Sequence, residues 1–198
     1  MHTINSLPLH YTGSSNVFVN DGTMHVACRN LVLLLIIGNI SDEVLAADMA
    51  LHFWYSTFMP SEYRLQISLL IGKFLEEWLS AEGGATISLG PTSKMFVCLS
   101  DGAKKYFLHF ISQAFTVGDI QEAYDQARML PSRRDNRDRM YAGLRPSHRV
   151  AFQEFRRFGI VLPFGAANAH FNVPNVSLFS FDGQWLQTDY ADPLEGWK

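Results

Sequence analysis

The chain has 198 residues, of which 47% are hydrophobic, 13% aromatic and 18% charged, and its formal net charge is -3. This composition excludes an intrinsically disordered chain, and the longest purely apolar run, Leu31 to Ile37, is too short for a membrane span, which needs about 20 residues. We expect one soluble, cytoplasmic domain, with Cys28 and Cys98 as free buried thiols, because two cysteines are too few for a disulfide scaffold.

The first elements predicted are a strand and a helix joined by a turn. Val17–Val19 is a β-prone run that indicates a short buried strand, and Thr23–Ile37 is apolar on nearly every side, which indicates an interior helix. Asn20 and Asp21 lie between them, where a doubly wound fold presents a carboxylate to a ribose, so these two residues are candidate cofactor ligands. The same residues commonly form a turn and cap a helix, and the two roles are compatible.

The middle of the chain is predicted to be rich in helices. A second helix is expected from Ser41 to Phe58, and a third over Ser61–Ser80, which carries an apolar stripe at helical spacing. Two β-prone runs, Ala85–Leu89 and Met95–Leu99, are separated by a turn, and a capped helix then runs from Asp101 to Gln113.

The second half of the chain is predicted to be more irregular. Helices are expected over Val117–Met129 and Ser147–Phe158, the second opened by Pro146, and a strand is expected at Ile160–Leu162. Residues 166–198 read as coil with one strand near Val176–Phe181. Helices interleaved with short apolar strands favour a single α/β layered domain over residues 1–198.

An arginine-rich segment, Arg128 to Arg157, holds nine arginines and three acids, for a local charge of +6. Guanidinium groups at this density can bind a phosphate-bearing ligand, an RNA or an acidic protein, or form an intramolecular network with Asp135 and Asp138. The net acidic chain and the lack of an RNA-binding motif favour the network or a protein partner over nucleic acid. The candidate partner-binding or anion-binding residues are Arg133, Arg134, Arg137, Arg139, Arg145, His148 and Arg149.

Catalytic and metal-binding motifs are not found in the sequence. No G-x-G loop, P-loop, H-E-x-x-H or G-x-S-x-G occurs, so we assign no catalytic residue, no metal ligand and no complete nucleotide site. His25 and Cys28 share a helix face but are too few for zinc, and His52, beside three aromatic residues, is expected to be an interior histidine rather than a base.

Several short runs together resemble a fungal family of domains of unknown function. They are Val19-Asn20-Asp21, Cys28-Arg29-Asn30-Leu31, Leu51-His52-Phe53-Trp54-Tyr55-Ser56, Arg133 to Arg139, Leu144-Arg145-Pro146-Ser147-His148-Arg149, Leu162-Pro163-Phe164-Gly165, Pro174-Asn175 and Ala191-Asp192-Pro193-Leu194-Glu195-Gly196-Trp197. That family is related to the N-terminal region of dynein axonemal assembly factor 3 and is often found beside MYND zinc fingers.

The resemblance implies a degenerate Rossmann or methyltransferase-like α/β fold with a helix-rich middle. It also implies that the first strand and the glycine loop found upstream of Ile4 in relatives are missing here, so no cofactor is expected. We therefore expect a non-catalytic protein-interaction or assembly module with a protein partner, and self-association through an exposed edge at Val17–Val19. The alternative is an S-adenosylmethionine-dependent methyltransferase, or a pseudoenzyme that binds the cofactor, with Asp21 on the ribose.

Overall fold

Helices make up most of the described chain, and short strands lie between several of them. The computed structural model describes residues 6, 8, 10–81, 83–112, 118, 119, 121, 122, 125, 134–163 and 165–178. In chain order its elements are α1 (Met24–Asn39), α2 (Glu43–Tyr55), β1 (Phe58–Pro60), α3 (Ser61–Ser80), β2 (Ala85–Leu89), β3 (Ser93–Val97), α4 (Asp101–Ser112), α5 (Arg134–Gly143), α6 (Pro146–Phe158), β4 (Phe171–Pro174) and a 3-10 turn (Val176–Leu178).

Helix α1 lies at the centre of the main core, as its all-round apolar sequence predicts. It packs against α2, α3, α4 and β2, and Leu35 and Ile36 are fully buried. Helix α3 has the predicted bounds, and its apolar stripe, which includes Ile67, Phe74 and Trp78, faces the same core. Both helices are therefore confirmed, because an amphipathic or wholly apolar pattern determines which face is buried.

Helix α2 differs from the prediction at both ends. Its N-cap is Asp42 rather than Ser41, since Asp42 Oδ1 accepts hydrogen bonds from the backbone N–H groups of Val44 and Leu45 at 3.0 and 3.1 Å. The helix ends at Tyr55, three residues before the predicted end, because Phe58 enters β1 and pairs with Pro174 of β4.

The first of the two predicted β-prone runs, Ala85–Leu89, is confirmed as β2, whereas the second strand runs over Ser93–Val97 instead of Met95–Leu99. The two strands form an antiparallel hairpin with Ile87 opposite Met95. It packs onto α1 through a close approach at Gly38. A Cβ at that position would lie 2.9 Å from the Cβ of Leu89 and 3.2 Å from its Cα. Glycine is therefore needed there by packing, since β2 cannot come so near to a larger residue.

Gly38→Ala is expected to lower the free energy of unfolding by about 1–2 kcal/mol, because the clash with Leu89 exceeds the helix propensity gained. Gly72, inside α3, is the matched control, since an added Cβ meets nothing within 4 Å. Gly72→Ala should raise the free energy of unfolding by about 0.5–1 kcal/mol. Urea titrations of both variants measure the difference, and equal effects at the two positions would contradict the close approach.

The strand predicted at Val17–Val19 is wrong. These residues have no regular secondary structure, and their exposed fractions are 60%, 93% and 57%. A β-prone run becomes a strand only when another strand supplies hydrogen bonds, and no described strand pairs with it. We call residues 10–20, all of which are exposed, the arm.

The strands predicted near the end of the chain are also misplaced. Ile160–Leu162 is not a strand, because Val161 donates its backbone N–H to the Ser56 side chain rather than to a ladder partner. Of the strand predicted near Val176–Phe181, the described part, Val176–Leu178, is a 3-10 turn, and a strand forms before it, as β4. Most of the predicted helix over Val117–Met129, and residues 179–198, lie outside the described residues.

The described architecture is a mixture of helices and two small antiparallel sheets, β1–β4 and β2–β3. A doubly wound fold requires parallel strands joined by helical crossovers, and the described residues contain no parallel pair. The expected mixture of helix and strand is thus confirmed, whereas the Rossmann arrangement is not. No helix among the described residues is long and apolar enough to cross a bilayer.

Candidate functional site

A cluster of polar side chains lies inside the core where α2 ends. We call it the buried polar junction. Its members are Arg29, His52, Ser56, Thr57, Asn175 and Ser177, each 3% exposed or less. Buried polar groups are stable only when their hydrogen bonds are made, so the partners of these side chains decide what the cluster does.

Arg29 reaches from α1 to the carboxyl end of α2. Its Nη2 donates to the Trp54 carbonyl at 2.6 Å and its Nη1 to the Ser177 carbonyl at 3.3 Å, while the guanidinium lies 4.7 Å from the Trp54 ring centroid. The last carbonyls of a helix carry partial negative charge, so a cation is favourable there. Burial lowers the pKa of Arg29 to about 10, and the side chain therefore stays protonated at neutral pH.

Asn175 binds the same end of α2. Its Nδ2 donates to the carbonyls of Phe53 and Ser56, both at 2.8 Å. Its Oδ1 accepts from the Ser177 hydroxyl at 2.6 Å, and its backbone N–H donates to the Thr57 carbonyl at 2.8 Å. One amide side chain thus joins the end of α2 to the 3-10 turn, more than a hundred residues later in the chain.

Asp48 and His52 of α2 form a line with Ser56, the residue that follows the helix, and the line has the residue types of a hydrolytic triad. Ser56 Oγ lies 2.9 Å from His52 Nδ1, and His52 Nε2 lies 3.6 Å from Asp48 Oδ1. A nucleophile must reach a substrate, but Ser56 is completely buried and its Oγ also accepts the Val161 N–H. The line therefore holds the residues after α6 in place, and His52 is confirmed as an interior histidine.

The free energy of unfolding is expected to decrease as the pH falls below 6.5, in part because of His52. Burial lowers the pKa of His52, an effect that Asp48 opposes and His170 strengthens. The folded chain therefore keeps this histidine neutral, while the unfolded chain takes up a proton near pH 6.5. The stability that neutral His52 contributes is complete above pH 6.5 and is lost as the pH falls towards its lowered pKa.

His52→Gln removes this titration and can still hydrogen-bond to Ser56. The free energy of unfolding of the variant should fall less between pH 6.5 and 5 than that of the unsubstituted chain, by up to about 1.4 kcal/mol per pH unit. Chemical denaturation at several pH values measures both slopes, with pH 8 as the reference. Parallel slopes would contradict the role of His52.

The candidate cofactor residues, Asn20 and Asp21, are both exposed, at the end of the arm and just before α1. Asp21 Oδ1 accepts a hydrogen bond from the Thr23 N–H at 3.0 Å, immediately before α1. This is the turn-forming role that the sequence also allowed. The strand tip that was expected to present the carboxylate to a ribose is not formed, because Val17–Val19 has no paired strand.

The arginine-rich segment contributes α5 and α6. Arg139, Arg145 and His148 are exposed on these helices or between them. The side chains of Arg133, Arg134 and Arg137 lie outside the described residues.

Arg149 has an intramolecular role. Its Nε donates to the Leu144 carbonyl at 3.0 Å and its Nη2 to the Ala142 carbonyl at 2.8 Å. It thereby fixes the turn between α5 and α6. Arg149, a candidate for binding a partner or an anion, thus donates to carbonyls of its own chain.

The two thiols have different surroundings. Cys28 is buried as expected, and burial raises its pKa to about 12. Cys98 is exposed, contrary to expectation, because it continues the outward alternation of Lys94 and Phe96 past the end of β3.

Sequence reasoning named most parts of the buried polar junction without joining them. Arg29, His52 to Ser56, and Asn175 all lie in runs that carry the family resemblance, and the structure brings these runs into contact. One signal was available in the sequence: an arginine inside an otherwise apolar helix must find acceptors in the core.

Residues 1–59 match the model of a family described as a domain of unknown function, DUF4470. The matched stretch covers the arm, α1, α2 and the start of β1, so it includes Arg29 and His52 but not Asn175. No curated protein and no solved structure matches the chain.

Proposed function

We propose that the chain is a non-catalytic protein-interaction or assembly module, and that the arm is its partner-binding segment. The observation that carries this proposal is the side chain of Phe18, which is 93% exposed between two exposed valines. Contiguous apolar groups on a surface cost about 25 cal/mol per Å² while they face water, and such patches mark interaction sites. The resemblance to relatives of dynein axonemal assembly factor 3 supports an assembly role.

The buried polar junction supports the same proposal from inside the core. Its potential nucleophile, Ser56, is completely buried, and its arginine is occupied by backbone carbonyls. These groups stabilise the helix ends rather than bind a substrate. A packed core with an exposed apolar segment suits a docking module.

The exposed basic groups of α5 and α6 give the partner a second feature to recognise. Arg139, Arg145 and His148 face solvent on the segment that carries the local excess of arginine. We propose that the partner presents carboxylates to this surface, which would make the association rate depend on ionic strength.

A photo-reactive phenylalanine analogue at position 18 tests the arm in cells. We expect discrete cross-linked products at position 18 and none at position 44 of α2, which is a fair control because Val44 is 80% exposed. The full chain should keep its melting temperature with either label, since neither side chain is packed. Equal labelling at both positions, or none at either, would overturn the proposal.

Calorimetry with S-adenosylmethionine and S-adenosylhomocysteine tests the alternative function. Stoichiometric binding that is lost in Asp21→Ala would replace the proposal with a cofactor-binding one, in a methyltransferase-like fold. We expect no heat of binding from either compound.

A further inference from the structure

The outer edge of β3 has the features of a strand that lacks a neighbour. β3 pairs with β2 on one side, and no strand of the described residues lies along its other side. Lys94 and Phe96 are exposed, Phe96 by 67%, while Met95 and Val97 are half-buried on the inward face. Its unpaired backbone groups can accept a further strand.

The arm carries a matching pattern. Aligned antiparallel with Phe18 opposite Phe96, it places Val17 opposite Val97 and Val19 opposite Met95. Side chains alternate between the faces of a sheet, so both valines would extend the half-buried inward face while the two phenylalanines pair on the outer face. A shift of one residue would put the valines outside and lose both contacts.

The position of the arm within its own chain favours pairing between two copies. The sulfur of Met24 lies 3.0 Å from where a Cβ of Gly102 would stand, so α1 begins beside the residues that follow β3. Asp21 is only three residues before Met24, whereas the antiparallel register needs Asp21 opposite Ser93, at the other end of β3. The two ends of a five-residue strand are about 13 Å apart. The arm of the same chain would have to cross this distance, whereas the arm of a second copy can approach β3 from its other end.

We propose that the arm of one copy adds as an antiparallel strand to the free edge of β3 in a second copy, with Phe18 opposite Phe96. Two such contacts, related by a twofold axis, form a closed dimer because each copy supplies one arm and one edge. This inference rests on the proposed function, since it names a second copy of the chain as the partner of the arm.

Disulfide trapping tests the register, because the alignment places Asn16 opposite the native, exposed thiol of Cys98. Opposite Cα atoms lie about 4.5–5.5 Å apart in an antiparallel pair, which suits a disulfide. Asn16→Cys should give a covalent dimer under mild oxidation, at least tenfold faster than Asn20→Cys, which lies opposite Lys94. The dimer should be absent when Asn16→Cys is combined with Cys98→Ser.

Sedimentation of the unsubstituted chain and of Phe18→Asp provides the second measurement. We expect a concentration-dependent dimer for the first and a monomer with an unchanged melting temperature for the second. A cross-link within one chain, equal rates for the two cysteine variants, or a strict monomer without trapping would overturn the inference. A monomer that still cross-links a different protein at position 18 would overturn the dimer alone, whereas no cross-link of any kind would overturn the proposed function as well.

Discussion

Arg29→Met is expected to lower the free energy of unfolding by about 3 kcal/mol, a large part of the 5–15 kcal/mol typical of a domain. The substitution removes the Arg29 donor to the Trp54 carbonyl, and a buried acceptor without a donor costs about 1–3 kcal/mol. It also removes one of two donors to the Ser177 carbonyl, which still accepts from the Tyr106 hydroxyl at 3.5 Å. Methionine fills similar space and avoids the cost of burying a charge, so the loss stays below that of a truncation. Urea denaturation at pH 7.5 measures the difference.

Arg29→Lys is the matched control. An ammonium group can donate to one of these carbonyls but cannot span both, and it loses the planar contact with the Trp54 ring. We expect a loss of about half that of the methionine variant. If Arg29→Met proved as stable as the unsubstituted chain, the cost of desolvating the guanidinium would equal all that its hydrogen bonds contribute.

Asn175→Asp is expected to lower the free energy of unfolding by at least about 4 kcal/mol at pH 7.5. The change is isosteric, but it turns an N–H donor into a carboxylate oxygen that faces the Phe53 and Ser56 carbonyls without water. The carboxyl should stay protonated in the fold, so its pKa is raised and the added loss appears as the pH rises above about 4. Denaturation at pH 4.5 and 7.5, each compared with the unsubstituted chain at the same pH, measures this.

Asn39→Asp is the control for the same change of atoms. Asn39 is half-buried, and its Nδ2 donates to the Leu35 carbonyl of its own helix at 3.0 Å. A carboxylate there is near solvent, so we expect a loss of about 1 kcal/mol from the broken bond and the helix dipole. Similar losses at positions 39 and 175 would show that Asn175 does not join α2 to the 3-10 turn.

The sequence predicts the exposure of some of the candidate surface residues but not of all of them. The excess of arginine in the second half is a property of the sequence, and the structure places Arg139, Arg145 and His148 in solvent as such residues require. Arg149 belongs to the same segment but binds backbone carbonyls at the end of α5. Whether an arginine of this segment faces solvent or binds backbone depends on the turn between α5 and α6, and the number of arginines in the segment does not predict that turn.

The sequence by itself determined the elements whose signal is local. The bounds of α3, the interior position of α1 and the existence of β2 follow from side-chain period and turn residues within about 20 positions of one another. It also determined that Val17–Val19 is apolar and β-prone. Such patterns depend on side chains that are close in sequence, so the elements can be predicted without knowing which distant segments pack against them.

The tertiary structure alone decided which strands form and where the buried polar groups find partners. Val17–Val19 remains an exposed arm while Phe58–Pro60 pairs with Phe171–Pro174, because a strand exists only where a second one supplies its hydrogen bonds. Arg29 and Asn175 meet at the end of α2 across 146 positions of sequence. Their energies arise from acceptors that the fold brings together and excludes from water, and neither condition can be read from the residues one by one.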